Sequence, residues 1–337
     1  MIMIANKRKV ENPGPTASAI WNAIVFLLIV SVSPLGGNEE TPVGPAWWPS
    51  EWGKDDQRGA LNRITSSKVL EAISLIKEGK IYQLGRVYES GMPLFGDRHY
   101  SLTIPGVPSG MVEAENQIIW NDEIFSGEIG QVGTQFDGLG HIGVRVNGED
   151  RFYNGFRLED FGDSYGLKKL GVENVGVFLT RGVLLDVAAY KGVDRLEVGY
   201  VITVNDIKGT LKMQDILIRE GDVVLFRTGH GKLWMKDNET YNSGHPGPGL
   251  QAAKWLIKKK IVMVGGDSWA VEAVPGEDEN RPFEVHQWLI AKNGIHIIEN
   301  LNLDELSQNL VYEFAFFFAP VPLKGATGSP GNPIAVR

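Results

Sequence analysis

The chain has no cysteine among its 337 residues. That excludes a disulfide framework, a thiolate zinc site and a cysteine nucleophile, and leaves the redox compartment open. Basic runs are scarce too. There are 33 Lys+Arg against 41 Asp+Glu, a formal net charge of −8, and no basic stretch exceeds a few residues. This argues against a phosphate-tracking surface, and no nucleic-acid partner is expected. Long apolar runs are missing: the apolar stretch near the N-terminus, residues 23–30, is far shorter than the roughly 20 residues a spanning helix needs. The HExxH, Walker-loop and EF-hand patterns are also absent. What remains is ordinary globular composition, 43% hydrophobic and 22% charged, with 41 glycines that predict many tight turns and loop-built sites.

The first 45 residues differ from the rest. Lys7, Arg8 and Lys9 precede the apolar stretch, and Ser31-Val-Ser33 follows it with Pro34 directly after. A basic start and a short apolar core are the pattern of a secretory signal peptide. An uncleaved anchor and a start codon placed too far upstream are the alternatives, so export and a cytoplasmic location both stay open. Residues 1–45 are set apart as a signal-like or disordered extension, and 46–337 are expected to form one domain.

Periodicity then assigns elements. Residues 67–77 read as a helix capped by Ser66 or Ser67, with Val69, Leu70, Ile73 and Ile76 as its apolar stripe and Gly79 past its end. Residues 177–187 read as a strand bent at Arg181-Gly182. Residues 200–204 read as a short strand before a helix capped by Asn205 or Asp206. Residues 222–227 form an apolar strand, 250–258 a helix leading into strand 261–264, and 284–292 a helix ended by Gly294. Strands 295–299 and 312–319 follow. Helices and strands alternate in the second half, while the middle is strand and loop. This predicts an α/β fold with a mixed sheet in a single domain.

The chemically densest segment is Gln131-Val-Gly-Thr-Gln-Phe-Asp-Gly-Leu-Gly-His141. If its first part is extended, Gln135 and Asp137 point to one face, because strand side chains alternate. Glycines at 133, 138 and 140 prevent a long helix and admit close backbone approach. Gln131, Gln135, Asp137 and His141 then converge on one loop and can ligate a metal or move protons. A Gly-rich turn with solvated polar groups is the plain alternative. The same stretch matches GxGxxG at residues 138–143, but strand and turn residues follow where a dinucleotide site needs a helix.

A second cluster lies far along the chain. His286 has Leu289 and Ile290 at i+3 and i+4, which puts it near the inward face of its helix. Glu299 shares a strand face with Ile295 and Ile297, and a carboxylate there must be paired, hydrogen-bonded or bound to a cation. A satisfied core histidine and a strand-edge salt bridge are the ordinary readings. Gly266-Asp-Ser-Trp-Ala270 falls short of a nucleophile elbow because its last glycine is missing. His230 and His245 sit in Gly-rich loops and line either a pocket or turns; His99 and His296 receive no role.

Gln131-x-Gly-Thr-Gln-x-Asp-x-x-x-His141 resembles the HxGTHxDxxxH signature of the cyclase family of metal-dependent hydrolases, which includes kynurenine formamidase (arylformamidase) and isatin hydrolase. The stretch from His286 through Gly294-Ile-His-Ile-Ile-Glu299-Asn-Leu resembles the family's second ligand segment. Ala319-Pro-Val-Pro-Leu-Lys-Gly-Ala-Thr-Gly-Ser-Pro330 resembles its C-terminal strand and substrate-side loop, and Trp52-Gly-Lys-Asp-Asp-Gln-Arg-Gly-Ala-Leu-Asn62 an N-terminal segment of its longer members. The likeness runs in order from about residue 47 to the C-terminus.

The resemblance implies a swivelling β/β/α fold, a homodimer or homotetramer, and a divalent metal. It carries the metal ligands onto Asp137, His286 and Glu299 and the general acid/base onto His141. It also lays two ligand histidines of the signature onto Gln131 and Gln135. A glutamine oxygen is a weaker ligand than imidazole, so one ion per subunit is expected, Zn²⁺ or Mn²⁺ foremost, with Gln135 an extra oxygen ligand at most. The expected substrate is a small carbonyl compound: an amide, formamide or cyclic amide, with a lactone as the alternative. Trp47, Trp48 and Trp52 either cover a flat substrate or pack on the core. A non-catalytic member that binds a small acid is the competing reading, supported by the two glutamines.

Overall fold

The computed structural model describes residues 39–337. The basic and apolar parts of the signal-like segment lie outside the described residues. Glu40–Thr41 pairs with Gly44–Pro45, and Val43 is buried beside Trp47 and Ala291, so the described body includes residues ahead of position 46.

The core is organised on one nine-stranded mixed sheet. Its strands are β1 (Ile81–Gln83), β2 (Gln135–Asp137), β3 (Phe178–Asp186), β4 (Val223–Arg227), β5 (Met263–Gly266), β6 (His296–Glu299), β7 (Glu313–Phe318), β8 (Gly328–Pro330) and β9 (Ile334–Val336). In space they run β8-β2-β6-β5-β4-β3-β7-β9-β1. The central four, β3, β4, β5 and β6, are parallel to one another. Every strand outside them joins antiparallel. Val223 through Phe226 and Ile297–Ile298 are essentially inaccessible, as expected for parallel strands covered on both faces. The expected α/β class with a mixed sheet in one unit is the architecture found.

Three helices follow the sequence pattern, two of them with altered caps or ends. Helix α1 is Ser66–Ile73, capped by the Thr65 side chain on Lys68 N rather than by Ser66 or Ser67. Helix α2 is Val204–Gln214; Thr203 caps it and Asp206 closes a capping box, so Asp206 is the N3 partner and not the cap. Helix α3 is Leu250–Lys258, as expected. The predicted 284–292 helix begins as Glu284–His286 and continues as the π-helix Gln287–Lys292, with Gly294 at φ 60 past its end.

The apolar stripe read for α1 is wrong. Leu70 and Ile73 are exposed, and the inward face is Lys68 and Ala72. An ion network decides this. Lys68 Nζ reaches Asp222 Oδ1 at 2.6 Å, and the fully buried Arg181 reaches Asp222 Oδ2 at 2.5 Å and also pairs with Glu313. Burial raises the Asp222 pKa; Arg181 and Lys68 act against that. The expected break at 181–182 is absent: β3 runs through, its ladder with β7 continuing across Arg181 and Gly182, while the Arg181 guanidinium is held at Asp222, Glu313 and the Leu217 carbonyl.

One part of the chain stands off the sheet. Tyr100–Thr103 pairs with Ile124–Gly127, and Gly110–Met111 with Ile119–Trp120, and neither ribbon joins the nine strands. Leu102, Met111, Ile119 and Trp120 are exposed on it.

Asp222→Asn removes the charge that holds two buried cations, and breaking one partner of such a network costs about 3–5 kcal/mol. Equilibrium urea unfolding should show a loss of that size. A loss under about 1 kcal/mol would mean the network is dispensable.

Candidate functional site

The register of β2 against β6 builds the site. Glu299 lies opposite Gln135 and Ile297 opposite Asp137. Directly opposed residues share a face, and so do residues two apart on one strand. Gln135, Asp137, Ile297 and Glu299 therefore share one face of the sheet. On the other side of β2, β8 fixes it again, with Gly328 opposite Asp137 and Pro330 opposite Gln135. The C-terminal loop thus positions the strand carrying Asp137.

The turn after β6 locks this pairing. Asn300 adopts φ 56, and its side chain donates to Gly133 O at 2.6 Å and accepts from Tyr241 Oη at 2.6 Å. Its carbonyl accepts from Thr134 Oγ1 at 2.9 Å.

His286, on the first helical turn of 284–292, completes a cluster. Donor atoms of Asp137, His286 and Glu299 lie within 4.8 Å of one another, and all three residues are buried. His286 Nε2 is 3.3 Å from Glu299 Oε1, and Nδ1 is 2.5 Å from Glu272 Oε1. Glu272 also accepts from the backbone N–H of Val285 and of His286, at 3.3 and 3.0 Å. It fixes the ring so that Nε2 faces Glu299, the second carboxylate-to-imidazole contact that tunes metal-binding histidines.

The two glutamines turn amide nitrogen toward the carboxylates. Gln135 Nε2 donates to Glu299 Oε2 at 2.6 Å, and Gln131 Nε2 donates to Asp137 Oδ1 at 3.2 Å. Asp137 Oδ2 is buried and has no hydrogen-bond partner among the described residues. A buried, unpartnered carboxylate oxygen beside an imidazole nitrogen and a second carboxylate fits a divalent cation. Without a cation, burial and then the neighbouring Asp137 push the Glu299 pKa up to about 7, against hydrogen bonds from His286 and Gln135. Burial disfavours a charged His286, but its hydrogen bonds to Glu272 and Glu299 prevail and raise its pKa well above the ordinary value.

His141 stands beside the cluster, its Nε2 3.9 Å from Asp137 Oδ1 and its side chain 22% exposed. Burial lowers its pKa, against the pull of Asp137. The side chains surround a cavity of 210 Å³ walled by Phe95, Ile142, Trp269 and Phe283, with Arg98 and Gln131 also on its surface.

The other sequence candidates lie elsewhere. Trp47 donates to Phe152 O at 3.0 Å and meets Trp48 edge-on, while Trp52 lies beneath Arg63, so the three tryptophans pack on the body and do not line the cavity. Asp267 accepts from Thr228 N and Oγ1 and from Gly229 N, a purely structural role. His230 and His245 are inaccessible and outside the cavity lining. His296 faces Asp137 O and Arg58 O from the opposite side of β6. Val144–Val146 after the GxGxxG match is a strand, as read.

Glu272, Arg98, Phe95, Trp269 and Phe283 went unseen in the sequence. Only Glu272 left a signal, as the lone acid in Ser268-Trp-Ala-Val-Glu-Ala-Val274.

Fold and site together define an α/β protein with a three-residue cluster suited to one cation, set in a small aromatic-walled cavity. The family profile described as "Putative cyclase" matches residues 82–273, and the chain belongs to this family. A crystal structure described as a novel cyclase shares 33% identity and superposes with a TM-score of 0.75, covering 86% of this chain and 99% of its own. Isatin hydrolase A from Labrenzia aggregata, bound to benzyl benzoate, shares 20% identity with a TM-score of 0.54 over 76% of this chain and 93% of its own. Isatin hydrolase A from Ralstonia solanacearum shares 19% with a TM-score of 0.55, over 77% and 92%. At these identities the two hydrolases show the common fold. No curated protein matches the sequence.

Glu272→Gln keeps the shape but removes the charge behind His286. Zinc affinity measured by competition with a chromophoric chelator should fall about 10–100-fold, the usual cost of losing such a partner. An unchanged affinity would show that the backbone alone orients the ring.

Proposed function

We propose that this protein is a metal-dependent hydrolase that cleaves the C–N bond of an amide, a formamide or a cyclic amide, in the manner of an arylformamidase. The observation that carries the reading is the buried, unpartnered Asp137 Oδ2 in a cluster with His286 and Glu299, with His141 alongside. Asp137, His286 and Glu299 are the ligands in this reading. A bound Zn²⁺ or Mn²⁺ polarises the substrate carbonyl and lowers the pKa of a water.

The chain's own groups supply the rest. Glu272 keeps His286 Nδ1 occupied, so that Nε2 is the nitrogen turned to the cluster. Gln131 and Gln135 orient the two carboxylates through their amide N–H groups. His141 takes a proton at Nε2 from the attacking water and returns it to the leaving nitrogen, a role its position at the open side of the cluster supports. Phe95, Ile142, Trp269 and Phe283 line the cavity and favour a flat apolar body. The cavity is smaller than the roughly 300–1,000 Å³ of sites for drug-sized ligands, which favours small compounds.

Cyclic esters are the alternative substrates, since the same groups serve a leaving oxygen. A non-catalytic, acid-binding member is a second reading with its own support: both glutamines already satisfy carboxylate oxygens.

Two measurements check the proposal. Metal content by mass spectrometry, after supply of Zn²⁺ and Mn²⁺, should give about one ion per subunit and near zero in Asp137→Ala. A metal-free native chain would make the binding-module reading the better one. Turnover of formanilide, a cyclic amide and a lactone should then identify the scissile bond, and His141→Ala should lose about 10²–10⁴-fold in kcat with its metal retained. Wild-type turnover in that variant would remove His141 from the mechanism.

A further inference from the structure

The cavity carries a cation that the ligand cluster does not use. Arg98 lines it, and its one side-chain hydrogen bond among the described residues is a long one, Nη2 to the neutral Gln131 Oε1 at 3.4 Å. The other deeply placed arginines are spoken for. Arg181 pairs with Asp222 and Glu313, Arg227 pairs with Asp186 and Asp304, and Arg86 donates to the carbonyls of Gly231 and Leu301. Arg98 has no carboxylate within ion-pair distance among the described residues, although it is half-buried.

The charge facing the cavity sharpens the point. The carboxylates of Asp137 and Glu299 balance a divalent ion between them, and Glu272 stands behind His286 with two backbone N–H groups and the ring as partners. With the ion in place, Arg98 is a surplus positive charge on the cavity wall. It is also linked to the cluster, because the Gln131 amide that accepts from Arg98 donates to Asp137.

The aromatic walls specify what sits between. Phe95 lies flat on Trp269, ring centroids 4.1 Å apart at 14°, and Phe283 and Ile142 also face the cavity. The Arg98 guanidinium is 5.4 Å from the Phe95 centroid, so cation and aromatic face belong to one short loop. A guanidinium fork with open donors binds a carboxylate in a bidentate manner and discriminates against neutral isosteres.

We propose that Arg98 is a specificity residue that binds a carboxylate on the substrate, so that the site selects a single-ring aryl amide bearing an acid group over its neutral counterpart. This deepens the hydrolase reading and rests on it for the word substrate.

The test uses the full chain supplied with Zn²⁺, with anthranilate and aniline as probes, titrated by calorimetry. Wild type should bind anthranilate about 10–100-fold more tightly than aniline, the range expected of a charge-assisted bidentate pair. In Arg98→Gln that ratio should fall below about threefold, and Arg98→Lys should recover part of it, because a point charge replaces the fork. The same ratio should reappear in kcat/KM for N-formylanthranilate against formanilide. Equal binding of both probes by wild type overturns the proposal. So does a preference that survives Arg98→Gln, which would assign the carboxylate to the metal. If anthranilate binding depends on Arg98 while neither formamide is cleaved, the anion site stands and the hydrolase reading falls. If formanilide is cleaved without any acid preference, the reverse holds.

Discussion

Two carboxylates buried on one face of one strand pair impose the constraint around which the site is arranged. Asp137 on β2 and Glu299 on β6 are each nearly inaccessible. Like charges this close and this dry cannot both stay ionised without compensation. The molecule meets the demand with three kinds of partner: glutamine amides, a histidine imidazole, and a place for a cation at the one oxygen that has no other partner. The antiparallel register that sets Glu299 against Gln135 creates the problem and supplies part of its answer.

The surroundings follow from holding that register. Strand β8 clamps β2 from the far side, and Asn300, Thr134 and Tyr241 clamp the turn beyond β6. Glu272 ties the 284–292 helix to the segment after β5, so His286 arrives with one ring nitrogen already committed. Elsewhere on the sheet the same principle recurs in structural form. Arg181, Lys68, Asp222 and Glu313 are a buried ionic group that decides which face of α1 turns inward, against the apolar residues that a hydrophobic count favours. In one place an incompletely satisfied acid pair leaves an oxygen open to a cation; in the other a saturated one makes a joint.

Much of this was legible in the chain. The alternation of Gln135 and Asp137, the inward position of His286 with Leu289 and Ile290, and Glu299 on an apolar strand face are all local consequences of period two or period 3.6. The central strands and α3 were readable for the same reason. The failures are equally local in origin. Leu70 and Ile73 look like a core stripe because periodicity counts apolar side chains and cannot see Asp222, 154 residues away from Lys68. Trp47, Trp48 and Trp52 left substrate cover and core packing both open because aromatic density carries no direction; in the fold they pack, meeting one another, Phe152 and Arg63.

The sequence by itself determined which residues the proposed chemistry rests on. Asp137 and His141 share a glycine-rich segment whose backbone freedom is local, and His286 and Glu299 lie on elements whose inward faces follow from spacing alone. Only the tertiary structure decided how those residues are completed. Glu272, Arg98, Phe95, Trp269 and Phe283 come from loops with no period to read; the last four line the cavity and Glu272 stands behind His286, in the loops that lead into β2 and out of β5. A loop residue's partners are set by where the chain returns in space, and that is a property of strand order and register, which no window of sequence contains.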